Sequence, residues 1–81
     1  MLTVEFTIEP FIEGAPGAHV TAAVAAVEKR GLIVEFVPFG SSFSVPKSEL
    51  PEAVADLMRA AYANGATFVS VDVGSIEDSQ A

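Results

Sequence analysis

Gly31-Leu32-Ile33-Val34-Glu35-Phe36-Val37-Pro38-Phe39-Gly40-Ser41-Ser42-Phe43-Ser44-Val45 is the stretch that decides the fold. Leu32 to Val37 is dense in branched and aromatic residues, which suit a pleated, half-buried surface. Pro38-Phe39-Gly40 interrupts it as a turn. In Ser41 to Val45, Ser42 and Ser44 oppose Phe43 and Val45, the period of two that marks a strand with one buried face. Two strands joined by so short a link form an antiparallel hairpin.

Upstream of the hairpin lies a helical pattern from about Ala18 to Arg30. Val20, Ala23, Val24 and Val27 make its apolar stripe at spacings of three and four. The alanines from Ala15 to Ala26 favour helix and keep it slim. Lys29 and Arg30 complement the negative end of the helix dipole, and Gly31 supplies a left-handed stop. Gly14-Ala15-Pro16-Gly17 is a loop by composition. Before it, Leu2 to Glu9 alternates, with Val4, Phe6 and Ile8 against Thr3, Glu5, Thr7 and Glu9, until Pro10 removes a backbone donor.

Downstream, Pro46-Lys47 ends the hairpin's second strand. Ser48 is a fitting N-cap, Glu49 falls in the first turn and Pro51 is tolerated there. Leu50, Val54, Leu57, Met58 and Ala61 form the stripe of a helix that runs to about Asn64 and stops at Gly65. Ala66 to Val73 alternates again, Val69, Val71 and Val73 against Phe68, Ser70 and Asp72. The element order is β-α-β-β-α-β, the split arrangement of the ferredoxin-like fold. The expectation is an α+β sandwich: a four-stranded antiparallel sheet in order 4-1-3-2, with two helices on one face. Residues 1–74 form one domain, and 75–81 form a polar tail expected to fray.

Composition narrows the function. The 81 residues carry 11 acids against 4 bases, a formal charge of −7, and 51% are hydrophobic. A chain of this size buries only about 60% of its unfolded surface, which leaves little apolar area for a private pocket. Nucleic acid is excluded as a partner, because phosphate binding draws on clustered Lys and Arg and only Lys29, Arg30, Lys47 and Arg59 exist. No apolar run reaches the ~20 residues of a membrane span. No basic start followed by an apolar stretch suggests export, so the expected location is the cytoplasm. The chain has no cysteine, hence no disulfide, thiolate nucleophile or cysteine-based zinc site.

Two helices on one face leave the other face of the sheet bare. The alternation assigns to it Thr3, Glu5, Thr7, Ile33, Glu35, Val37, Ser42, Ser44, Phe68, Ser70 and Asp72. Ile33, Val37 and Phe68 are apolar surface that association between copies would hide, face to face or edge to edge. Such pairing would part-bury Glu5, Glu35 and Asp72. A ligand bearing amino groups or positive charge would answer them, as would a wet rim of the sheet.

The side chains able to do chemistry are few. His19, the single histidine, sits near a helix start, where it reads as a surface or capping residue or, held neutral by the helix dipole, as a hydrogen-bonding group for a heterocycle. One histidine and scattered carboxylates make no metal-ligand spacing. The serines form no nucleophile elbow, and Gly14 to Gly17 is not a dinucleotide fingerprint. Phe39, between proline and glycine in a turn, is placed to anchor a neighbouring subunit or stack on an aromatic ligand, the alternative being packing within its own chain. Ser41 and Ser42 offer hydroxyls on either face.

Val4-Glu5-Phe6-Thr7-Ile8-Glu9-Pro10, the stretch from Gly31 to Ser41, and Ala60-Ala61-Tyr62-Ala63-Asn64-Gly65-Ala66 together resemble the thiamine-binding protein family, the YkoF-like group that binds hydroxymethylpyrimidine or thiamine. The resemblance implies an oligomeric ferredoxin-like domain, a homodimer or homotetramer, that binds thiamine or its pyrimidine half without converting it and needs no cofactor. By position, the family's first-strand acid and hydroxyl fall on Glu5 and Thr7 and its hairpin hydroxyl on Ser41, with Ser42 beside it. Phe39 occupies the position after the turn proline. The chain departs from the family at Pro46-Lys47, where many relatives have a glycine and an acid, and in its acidic tail without arginine.

The resulting expectation is non-catalytic binding of a small heterocycle by Glu5, Thr7, His19, Phe39, Ser41 and Ser42. A second reading is a regulatory or scaffold domain binding a protein or another metabolite through its open sheet, since this fold hosts many roles. A third is an enzyme using His19 with Glu13 or Glu5.

Overall fold

The computed structural model describes residues 1–11, 17–37 and 40–75. Strand β1 (Leu2–Glu9) is followed by helix α1 (Ala18–Glu28), strands β2 (Glu35–Val37) and β3 (Gly40–Val45), a 3-10 turn at Lys47–Glu49, helix α2 (Leu50–Ala63) and strand β4 (Phe68–Ser75). The strands lie in the order β2-β3-β1-β4, which is 4-1-3-2 counted from the other edge. All pairings are antiparallel.

The alternation of β1 sets the two faces. Val4, Phe6 and Ile8 are buried together with Phe43 and Val45 of β3, Ala23 and Val27 of α1, and Ala53, Leu57 and Ala61 of α2. One face of the sheet and both helices thus share one core. Alanine at positions 23, 53 and 61 lets the helices approach closely, because a methyl group demands little space. Phe6 and Phe43 meet edge to face at 5.9 Å between ring centroids, the arrangement that the ring quadrupoles favour. Burying Leu57 completely contributes about 1.5–3 kcal/mol.

Each helix stops at a glycine of positive φ, Gly31 at 85° and Gly65 at 103°. After α2 the Ala66 N–H reaches back to the Ala61 carbonyl at 3.0 Å, which satisfies an orphan carbonyl in the manner of a Schellman motif. The chain then enters β4 with Thr67 N–H donating to Glu9 O at 2.8 Å.

Several boundaries differ from the sequence expectation. Helix α1 ends at Glu28, and Arg30 lies beyond it, turned to Asp56 of α2 with Nε 2.7 Å from Oδ2. Helix α2 begins after a 3-10 turn in which Glu49 N–H donates to Pro46 O at 2.9 Å, so Glu49, not Ser48, holds the cap position. Strand β2 is only Glu35–Val37, because the ladder with β3 spans Glu35↔Ser42 to Val37↔Gly40. Leu32 and Val34 still pack on the core while Ile33 stays exposed. The alternation survives where the hydrogen-bonded ladder does not. Strand β4 starts two residues later than expected and runs through Ser75.

Candidate functional site

The register places the polar open face in rows. Glu35 pairs with Ser42, Ser42 with Glu5, and Glu5 with Asp72, so one row crosses all four strands. Thr7 and Ser70 form part of the next row. Glu5 and Asp72 are directly opposite and both exposed, a like-charged cross-strand pair that works against the sheet. Phe68 is exposed at the edge of this face. Among the described residues no group of histidine, aspartate and glutamate could hold a metal ion.

The helix face carries the more enclosed feature. Helix α1 begins only at Ala18 and β2 is a short edge strand, so the end of the sheet near Glu9 is not fully roofed. Phe36 of β2 shares this face with Ser41 and Phe6, its neighbours across the ladder, yet it remains 70% exposed. The gap is a cavity of about 390 Å³, within the range of small-molecule sites. Phe6, Ile8 and Val20 line it together with Pro10, Phe11, Phe36, Thr7, Gly17 and Ser41. Phe11, like Phe36, is an exposed aromatic.

Ser41 is the buried polar residue of this cavity, only 6% exposed. No buried side-chain nitrogen or oxygen among the described residues lacks a partner, so the Ser41 hydroxyl, for which no bond to another described residue is seen, is not a desolvated orphan and stays open to the cavity. A ligand group or water in the cavity is what can satisfy it. Beside it, Gly40 is required for its small size. A Cβ at that position would sit 2.6 Å from the Phe6 carbonyl oxygen and 2.8 Å from Thr7 Cγ2.

His19 is 4% exposed, which corrects the reading of it as a surface or capping residue. It continues the buried row of α1 at spacings of four, His19, Ala23 and Val27, a signal already present in the sequence. Its Nε2 donates to the Pro10 carbonyl at 2.6 Å, which fixes the proton on that nitrogen because a carbonyl can only accept. His19 does not line the cavity; it ties the Pro10 wall to α1.

The expected site residues therefore separate. Ser41 lines the cavity, Thr7 borders it although its side chain belongs to the open-face row, and His19 acts on it through Pro10. Glu5 and Ser42 lie on the opposite face of the sheet. Phe39 and Glu13 lie outside the described residues. Sequence reasoning missed Phe11 and Phe36 as cavity residues. The phase of Phe36 was legible in the hairpin, but its lack of a helical cover was not.

Electrostatics elsewhere is local. Arg30 Nε and Arg59 Nη1 donate to the two oxygens of Asp56 at 2.7 and 2.9 Å. The Arg30 hydrogen bond, joined by its charge and by Arg59, holds the Asp56 carboxyl below its usual range, against a smaller opposing effect of burial. These groups border a groove between the helices, away from the cavity.

No protein-family model matches the sequence, and no curated protein matches it. Solved structures do. One is a domain of unknown function, DUF77, from Bacillus cereus, 18% identical, with a TM-score of 0.68 over 91% of this chain and 74% of that one. Another is protein SP2199 from Streptococcus pneumoniae, 15% identical, with a TM-score of 0.73 over 98% of this chain and 96% of that one. The likeness shows the fold. No helix among the described residues is long and apolar enough to cross a membrane.

Proposed function

We propose that this protein binds a small planar heterocycle in the cavity between β1, β2 and the start of α1, without converting it. Thiamine and its hydroxymethylpyrimidine half are the compounds to which the sequence resemblance leads. The observation that carries the reading is the cavity itself, lined by Phe6, Ile8, Phe11, Val20 and Phe36, with the Ser41 hydroxyl in its wall as a polar group. Phe6 and Phe36 flank it in the ladder and offer ring surfaces, each such ring contact contributing about 0.5–1.5 kcal/mol beyond burial. Of the hydroxyls first assigned to the ligand, Ser41 is the one whose side chain shares the face of Phe6 and Phe36 on which the cavity opens.

The reading includes a cytoplasmic homodimer or homotetramer. Exposed Ile33, Phe36 and Phe68 support association, since a lone domain gains by covering such side chains. Calorimetry with thiamine and with hydroxymethylpyrimidine tests the binding. Saturable heat that Ser41→Ala diminishes supports it, and the absence of heat and of any thermal shift at millimolar ligand removes it. Light scattering that finds only the 8.4 kDa species at high micromolar concentration removes the oligomer.

A further inference from the structure

We infer that the free edge of β4 pairs with β4 of a second copy about a two-fold axis, with Val71 facing Val71. The inference rests on the association of copies argued above and names the surface and the register that carry it.

Strand β4 ends the sheet beyond β1, and among the described residues no strand lies outside it. The opposite edge, β2, is three residues long, and a short edge offers little to another strand. Strand β4 has eight residues, no proline or lysine, and the single charge of Asp72. Its apolar side chains are also left half covered. Val73 shares the helix side with Val4 and is 46% exposed, and Phe68, on the open side, is 57% exposed. An edge of this kind is a template for a further strand.

Symmetry limits the register. Opposite residues of a ladder face the same side, so a two-fold axis between antiparallel copies passes beside one residue that meets itself. At Asp72 the axis would set two carboxylates opposite each other, which works against pairing. At Ser70 it would set Phe68 opposite Asp72 and Val73 opposite Thr67. At Val71 each residue from Phe68 to Gly74 finds a fitting partner. Val73 meets Val69 on the helix side. Asp72, which already opposes Glu5 within its own sheet, meets Ser70, a hydroxyl that donates to its carboxylate. Phe68 meets Gly74.

That glycine is an independent observation. Gly74 does not have a positive φ, and a Cβ there would meet nothing within 4 Å. No described residue of its own chain requires glycine at this point of the strand, where it weakens the sheet. An aromatic ring on a neighbouring strand covers such bare backbone, and the register centred on Val71 puts Phe68 of the second copy there.

The chain has no cysteine, so introduced ones report the register. The test is light scattering of the full chain at high micromolar concentration, then mild oxidation of cysteine variants and gels without reductant. Neighbouring pairs in an antiparallel ladder alternate in spacing. Either Val71→Cys with itself, or Ser70→Cys mixed with Asp72→Cys, therefore has the close pairing of about 4.5 Å between Cα atoms. At least one of these should cross-link to a dimer. Asp72→Cys alone and Val73→Cys alone stand about 8 Å or more from their own copies, beyond the reach of a disulfide, and should cross-link at least about tenfold more slowly. Gly74→Val should weaken dimer formation at least about fivefold by displacing Phe68, while valine suits the strand itself. A dimer that cross-links equally at Asp72 or Val73, that cross-links at neither expected pair, or that tolerates Gly74→Val unchanged overturns the inference and leaves association between copies standing. A chain that remains an 8.4 kDa species overturns both.

Discussion

Ser41 and Ser42 are adjacent in the chain and serve opposite faces of the sheet. Ser41 stands in the ladder between Phe6 and Phe36 on the helix side, and Ser42 stands between Glu5 and Glu35 on the open side. Two hydroxyls that look equivalent in sequence therefore have separate neighbours and separate uses.

The first prediction follows from that division. Ser41→Ala should weaken binding of hydroxymethylpyrimidine or thiamine by about 1 kcal/mol, the worth of one hydrogen bond. Ser42→Ala and Glu5→Gln should leave it unchanged. Without ligand, Ser41→Ala should melt close to the parent, because no bond from this hydroxyl to another described residue is seen. Titration calorimetry and thermal melts of the three variants decide this. A loss confined to Glu5→Gln would move the site to the open face.

Gly40→Ala should destabilise the fold by about 1–3 kcal/mol, as overpacking does. The added methyl would press on the Phe6 carbonyl, which is backbone in a central strand and cannot swing aside. Urea unfolding gives the value. A midpoint equal to the parent's would mean that β3 can draw away from β1 without cost.

Asp72→Asn should stabilise the protein by about 0.2–1 kcal/mol by relieving the charge opposite Glu5. The gain should be larger at low ionic strength, since both groups are exposed and salt screens them. Urea melts in dilute and in concentrated salt would show it. A gain independent of salt would assign the effect to something other than repulsion.

Asp56 makes stability depend on pH in a definite direction. Its folded pKa lies below the value for an unfolded chain, about 3.9. Its bonds to Arg30 and Arg59 therefore support the fold fully above that value and are lost as pH falls through the folded pKa. Asp56→Asn should be less stable than the parent at neutral pH, and the difference should shrink in acid. A deficit constant from pH 7 to pH 2, measured by denaturant unfolding, would deny the ion pair its role.

Leu57→Ala should cost about 2–5 kcal/mol. The residue is fully buried in the core shared by the sheet and both helices. A loss below 1 kcal/mol in urea would indicate that the helices collapse onto the space left behind.

The sequence alone determined the element order, the two faces of β1, β3 and β4, and the side that the helices cover. Those follow from side-chain period, helix stops and a short hairpin turn, all of which act between residues close in the chain. Even the burial of His19 was legible in its spacing from Ala23 and Val27. Only the tertiary structure decided where the cavity lies. Its walls come from β1, β2, β3 and the start of α1, and among the described residues neither helix covers Phe36. How far one element extends over another is a property of packed bodies in three dimensions. The pattern of apolar and polar residues along the chain says which way a side chain faces, and not what stands in front of it.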